Sequence, residues 1–243
     1  MSPFNDIYGW GRIGLHGLLS ERIGYLLGAG ADVSGAVTLR ASDAVTPLLW
    51  LGALGSWLFI ATFLLDGWTR PGFRPARHPV SALALGPRGW LQTTNFIVCG
   101  LAITAGALAV GPALGSTLLA TVIAVFGVSL VASGVFPMDA MRGYPPGTPD
   151  ETPSETSTRH ELHDWAGMLV FGSLPIAAAV AAFVLPGPWW TWLSALTAAA
   201  MAAGFVAFGA AWEKDHPLAG LVQRAVIVVG WVWLGLLFAH AAR

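Results

Sequence analysis

"LGSTLLATVIAVFGVSLVASGVFPMD", residues 114–139, decides the architecture. No charged side chain interrupts it before Asp139, and its apolar part matches the roughly 20 residues a helix needs to cross a bilayer. Backbone N–H and C=O groups find no water in lipid, so a run this long must bond to itself as a helix. Pro137 stops that helix, and Asp139 follows at the membrane boundary. The same test, carried outward, finds six runs at about residues 44–66, 91–111, 114–136, 165–186, 190–212 and 220–240. A β-barrel would instead show short alternating segments. The expected fold is all-α: an integral membrane bundle of six transmembrane helices over residues 44–243.

Composition agrees. The 243 residues are 55% hydrophobic and 10% charged, whereas soluble domains carry about 25% charged residues. There is too little charge to coat a water-facing surface. A net charge of −1 gives no electrostatic case for nucleic acid as a partner. Cys99 is the single cysteine, which excludes an intramolecular disulfide and any multi-cysteine metal site. Runs such as "ITAGALAVG" and "LTAAAMAAGFVAFGAA" are rich in small residues that let helix backbones approach closely. Trp68, Trp90, Trp165, Trp189, Trp190 and Trp212 fall near expected helix ends, as interfacial aromatic belts do.

Residues 1–43 read differently. Arg12, His16, Glu21, Arg22 and Asp32 interrupt a half-apolar stretch, which lacks the basic start and apolar core of a signal peptide. Leu15, Leu18, Leu19, Ile23, Leu26 and Leu27 share one helical face, so an interfacial helical segment is expected here.

Six spans make the connections alternate. Connections 67–90, 137–164 and 213–219 share one side of the membrane, whichever side that is. They hold Arg70, Arg74, Arg77, Arg88, Arg142, Arg159 and Lys214, and positive charge marks the cytoplasmic side. The other side holds Arg40 and Arg243, with Arg12 and Arg22 in the N-terminal segment. Four of the six histidines lie in the same three connections.

Three stretches there carry chemistry. In "RHELHDWAG", His160, His163 and Asp164 are spaced to share a helical face. Two imidazoles so placed can reach one metal, zinc for example, with Asp139 of "GVFPMD" as a further ligand. A solvated helix start accounts for the same pattern. Asp139 sits at a helix C-terminus, where a carboxylate opposes the helix dipole and needs a partner; Arg142 and the histidines are candidates. In "RHPVSALALGPRGWLQTTNF", residues 77–96, a short connection carries His78, Ser81 and Arg88 before Trp90, Gln92 and Asn95. Its apolar centre suits a loop packed across the mouth of the bundle, with His78, Ser81 and Arg88 toward the polar cluster. In "DHPLAGLVQRAV", Gln223 and Arg224 lie inside the last span, where a charge calls for a partner; Asp139 is one candidate, and snorkelling to the interface is the alternative. The rest of the third connection, "YPPGTPDETPSETST", is too polar to build a core and reads as a solvated linker or a lid.

The elements "HPVSALALGPRGWLQTTNF", "GVFPMD", "HELH" after a Pro-rich loop, and "GLVQR" together resemble the bacterial membrane family called domain of unknown function 998, over about residues 44–240. The resemblance implies a six-helix membrane protein and no particular activity. It implies that His78, Ser81, Gly89, Trp90, Asn95, Pro137, Asp139, His163, Gln223 and Arg224 recur in the family. A looser analogy runs to alkaline-ceramidase-like membrane hydrolases, whose serine, aspartate and histidines surround zinc. Ser81, Asp139, His160 and His163 match that inventory but not its order or spacing.

Two classes of function follow. The first is a membrane-embedded enzyme acting on a lipid or other apolar substrate, with Asp139, His163, His78 and Ser81 as catalytic candidates. It would work as a metal-dependent hydrolase through Asp139, His160 and His163, or by acid and base alone. The second is a non-catalytic binder, transporter or structural subunit. Arg88, Trp90, Asn95, Gln223 and Arg224 are the substrate-binding candidates in either case, and the two arginines suit an anionic head group.

Overall fold

The computed structural model describes residues 44–243. The interfacial helix expected over residues 1–43 lies outside the described residues. Six long helices follow one another: α1 (Ala44–Thr69), α2 (Gly89–Leu114), α3 (Thr117–Val135), α4 (Thr158–Val184), α5 (Pro188–Glu213) and α6 (Ala219–Ala241). A 3₁₀ turn, Val80–Ala84, sits in the first connection. All six helices are long and apolar enough to cross a membrane, and no strand occurs among the described residues. The described chain is an all-α, multi-pass membrane bundle.

Neighbours in sequence are neighbours in space from α2 through α6. α1 fits between α2 and α6, because Gly106 on α2 presses its backbone on Gly52 and Phe238 of α6 reaches both. A methyl group on Gly106 would lie 2.9 Å from the Gly52 Cα, so even alanine would push the helices apart. Small residues thus replace the hydrophobic effect, which is weak between helices in lipid, with close van der Waals contact. α6 is the central helix: 61% of its apolar window is buried, against 17% for peripheral α5. Trp231 of α6 stacks on Phe59 at 5.4 Å and meets the edge of Phe126 at 4.8 Å, tying α1, α3 and α6 together. Trp68, Trp90 and Trp165 are exposed at one end of the bundle and Trp189 at the other.

The fourth helix starts at Thr158, well before the residue 165 expected from hydropathy. Its first turns are polar, so an apolar-run test misses them. Ser157 caps it by accepting from the His160 N–H, which satisfies one orphan donor. His160, His163 and Asp164 therefore stand on α4 itself.

The three charged connections converge at one end. Arg77 of the first pairs with Asp150 of the third and Asp215 of the fifth, each at 2.8 Å. The third connection is only partly a solvated linker. Met141, Arg142 and Tyr144 are buried, and residues 150–159 are exposed.

Candidate functional site

The site grows from one missing hydrogen bond. In α3 the Ser133 carbonyl would normally accept from the N–H four residues later, but that residue is Pro137, which has none. His163 of α4 supplies the donor. Its Nδ1 lies 3.1 Å from the Ser133 oxygen and 2.7 Å from the Phe136 oxygen. Carbonyls only accept, so Nδ1 carries the proton and the neutral ring's Nε2 holds a lone pair. Nε2 makes no hydrogen bond among the described residues. The "FP" and "HELH" elements are thus two halves of one corner.

The rest of the corner fixes His160 and Asp139. The Asp139 N–H donates to His160 Nδ1 at 3.0 Å. The Asp139 carboxylate accepts from the Ser157 N–H and hydroxyl, each at 2.7 Å. The Ser157 backbone N–H, then its hydroxyl, hold that carboxyl below the usual carboxylate range. His160 Nε2 faces Asp164 at 3.4 Å. Of the three residues expected to share a metal, Asp139 is held by Ser157, His160 by the Asp139 N–H and Asp164, and His163 is engaged through Nδ1 alone. No group of three or more His, Cys, Asp or Glu suited to a metal occurs among the described residues.

Beside this corner lies a cavity of about 280 Å³, walled by α4, α5, α6 and the 3₁₀ turn. Ser81, His160, His163, Asp164 and Gln223 give it polar points. Phe171, Phe205, Phe208, Trp212 and two methionines give it an apolar wall. A hollow of about 30 Å³ continues inward past Ser81, His163 and Gln223 to Trp231. The Trp231 indole N–H is buried without a partner among the described residues. Gln223 spends Oε1 on the Val80 N–H at 2.7 Å, which holds the 3₁₀ turn against α6; its Nε2 has no protein partner among the described residues. Gly167 and Gly209 also line the cavity, and a Cβ on either would meet nothing within 4 Å.

The remaining candidates lie elsewhere. His78 is buried between Phe73 and Tyr144, not in the cavity. Its Nδ1 accepts from the Arg74 N–H and its Nε2 donates to the Arg142 carbonyl at 3.2 Å. Burial pushes its pKa down to about 4, so it is neutral and fully used. Arg224 does not pair with Asp139, nor does it snorkel. Its Nη1 donates to the carbonyls of Pro75, His78 and Gly220 at 2.6, 2.8 and 2.9 Å. Gly220 makes this possible, because a Cβ there would sit 2.4 Å from the His78 oxygen. Arg88 turns away from the cavity to Asp66, at 2.5 Å. Asn95 bonds the Phe59 carbonyl and Gln92 inside the bundle, and Trp90 is exposed on the outer surface. Arg142 serves Asp215, Thr152 and the Trp212 carbonyl rather than Asp139. Of the expected site residues, the cavity gathers Ser81, His160, His163 and Gln223.

Asp66 and Arg70 were not among the sequence candidates. Asp66 is 2% exposed and pairs with both Arg70 and Arg88. Arg70 also donates to the carbonyls of Leu83 and Leu85 at the end of the 3₁₀ turn and of Arg88 just before α2. The signal was an acid at the edge of an apolar run with an arginine one turn on, in "LLDGWTR". Gly167 and Gly209 carried no signal, since empty space beside a glycine is a tertiary property.

No curated protein and no solved structure matches the chain. A family model does, across residues 53–240, most of the chain and all of the corner, cavity and arginine contacts just described. With its six apolar helices, this chain belongs to the membrane-protein family described as protein of unknown function DUF998.

Proposed function

We propose that this protein binds a lipid or other apolar small molecule from the membrane in the cavity between α4, α5 and α6. The observation that carries this reading is the contrast within the cavity wall: aromatic side chains on one side, and on the other a histidine held by two carbonyls with its second nitrogen unspent. Pockets of this kind take the apolar body of a ligand on the wall and orient it by a few polar groups.

The test is to fill the cavity without harming the fold. Gly167→Leu puts a side chain into open space and replaces glycine inside a helix, which favours stability by up to about 1 kcal/mol. Wild-type protein purified from membranes is expected to carry a small amphiphile in native mass spectrometry, and Gly167→Leu to lack it. Equal retention by both proteins counts against the cavity.

Catalysis at the same place is the second reading. Ser81 and His163 line one cavity, and the lone pair on Nε2 suits a general base that takes a proton from a ligand hydroxyl or a water. The arginines of the three connections at this end support a cytoplasmic side for the mouth.

A further inference from the structure

The reading above leaves the ligand's head group open, and the charges around the cavity narrow it. Resting on that reading, we infer that the ligand is an uncharged amphiphile with a hydroxyl head, such as a long-chain alcohol. Among the described residues, no lysine or arginine lines the cavity or the inner hollow. The cations nearby are committed elsewhere. Arg224 is held through Nη1 by three carbonyls and lies over Phe73, outside the cavity lining, and Arg70 and Arg88 are held by Asp66. Arg77 and Arg142 face Asp150 and Asp215. Arg142 lies 3.6 Å from the centre of the Trp212 ring, so that ring is its neighbour. The charge on the cavity wall is negative, from Asp164. A phosphate or carboxylate entering here would lose its water and find no cation, which is costly.

The unspent groups ask for a hydroxyl. His163 Nε2 needs a donor, while the Trp231 N–H and the Gln223 amide need acceptors. A hydroxyl is the smallest group that both donates and accepts. The inner hollow of about 30 Å³ has room for a group of about the size of one water, and the larger cavity outside it suits the start of a chain.

Hexadecanol and hexadecyl phosphate separate head group from chain, because they differ only in the phosphate. The full-length protein in nanodiscs is labelled with a diazirine-bearing hexadecanol, and each unlabelled compound competes. Labelling is expected on α4 and α5 peptides that contain Met168, Phe205 or Phe208. Hexadecanol is expected to compete at least ten-fold more strongly than hexadecyl phosphate. Asp164→Arg, a change at an exposed rim position, is expected to narrow that ratio at least three-fold. Labelling at the cavity with equal or stronger competition by the phosphate would overturn the head-group inference and leave the binding reading intact. Labelling that avoids these peptides, or that Gly167→Leu does not reduce, would overturn both.

Discussion

Two polar regions sit at the same end of the bundle and use their hydrogen bonds in opposite ways. Around Asp66, Arg70, Arg88 and Arg224, charges meet carboxylates or backbone carbonyls, and Arg224 Nη2 is the buried donor there left without a partner among the described residues. Around His163, the polar atoms are half used: Nδ1 is bound, while Nε2, the Gln223 amide and the Trp231 N–H are left facing or flanking a hollow. A buried charge costs several kcal/mol unless it is compensated. The first region is thus what holds the first connection across the bundle. The second has valence to spare, and spare valence beside a cavity is what a ligand can use.

Breaking the arginine region should have the largest effect. Asp66→Asn leaves two arginines facing one neutral amide, and removing one partner of a buried pair costs about 3–5 kcal/mol. Arg224→Ala strips the donor from three carbonyls and should cost a similar amount. Gly220→Ala tests the same contacts through the backbone, since the loop cannot approach α6 past a methyl group. All three variants are expected to show early thermal unfolding in detergent and aggregation on size-exclusion chromatography. A normal melting curve for Asp66→Asn would mean the charges are not compensating one another.

Acid should act on the first region through His78. His78 titrates at about 4 in the folded protein, against about 6.5 in an unfolded chain. Between those values the unfolded chain binds the extra proton, so stability is full above pH 6.5 and falls as the pH drops toward 4. The loss amounts to about 3 kcal/mol over that window. His78→Gln should flatten the pH dependence of unfolding while costing some stability at neutral pH. An unchanged slope would move the titration to another group.

The bundle was legible from hydropathy because lipid imposes length and apolarity on each span. What hydropathy hides is the polar start of α4; the spacing of His160, His163 and Asp164 is what points to their shared helical face. The site was legible in part. His163 and Ser81 stood out as polar residues at an apolar boundary, and both reach the cavity. The metal reading rested on spacing, and spacing says nothing about which ring nitrogens the backbone engages: His160 Nδ1 accepts from the Asp139 N–H, and His163 Nδ1 donates to two carbonyls. Arg88 and Arg224 looked like anion readers because their partners, Asp66 and the carbonyls of Pro75 and His78, are set by tertiary approach.

A smaller effect should separate the two jobs of His163. His163→Gln is expected to abolish ligand retention and to cost only about 1–2 kcal/mol, the value of a buried acceptor losing its donor. If Pro137 is why that donor is needed, Pro137→Ala should rescue the stability of His163→Gln by returning a backbone N–H to the Ser133 carbonyl. The pair then forms a double-mutant cycle with a coupling of about 1 kcal/mol. Additive losses would mean that His163 is not substituting for the proline's missing donor. Ligand retention should stay lost in the double variant, because the new N–H does nothing for Nε2.

Ser81→Ala should have the smallest effect on the fold, and it decides between the two functional readings. Ser81 is half-buried in the cavity wall, and its hydroxyl makes no hydrogen bond among the described residues, the turn being secured by the Gln223 contact to Val80. A melting shift within about 0.5 kcal/mol is expected. In a binder, the variant keeps its co-purifying amphiphile with an affinity changed by less than about ten-fold, the value of one hydrogen bond. In an enzyme whose serine attacks the ligand, the variant still loads but turns nothing over, and the intact ligand accumulates on the purified protein while wild type carries the product. Comparing the masses carried by wild type and Ser81→Ala therefore sorts the readings before any substrate is known: identical masses favour binding, and a heavier ligand on the variant alone favours cleavage.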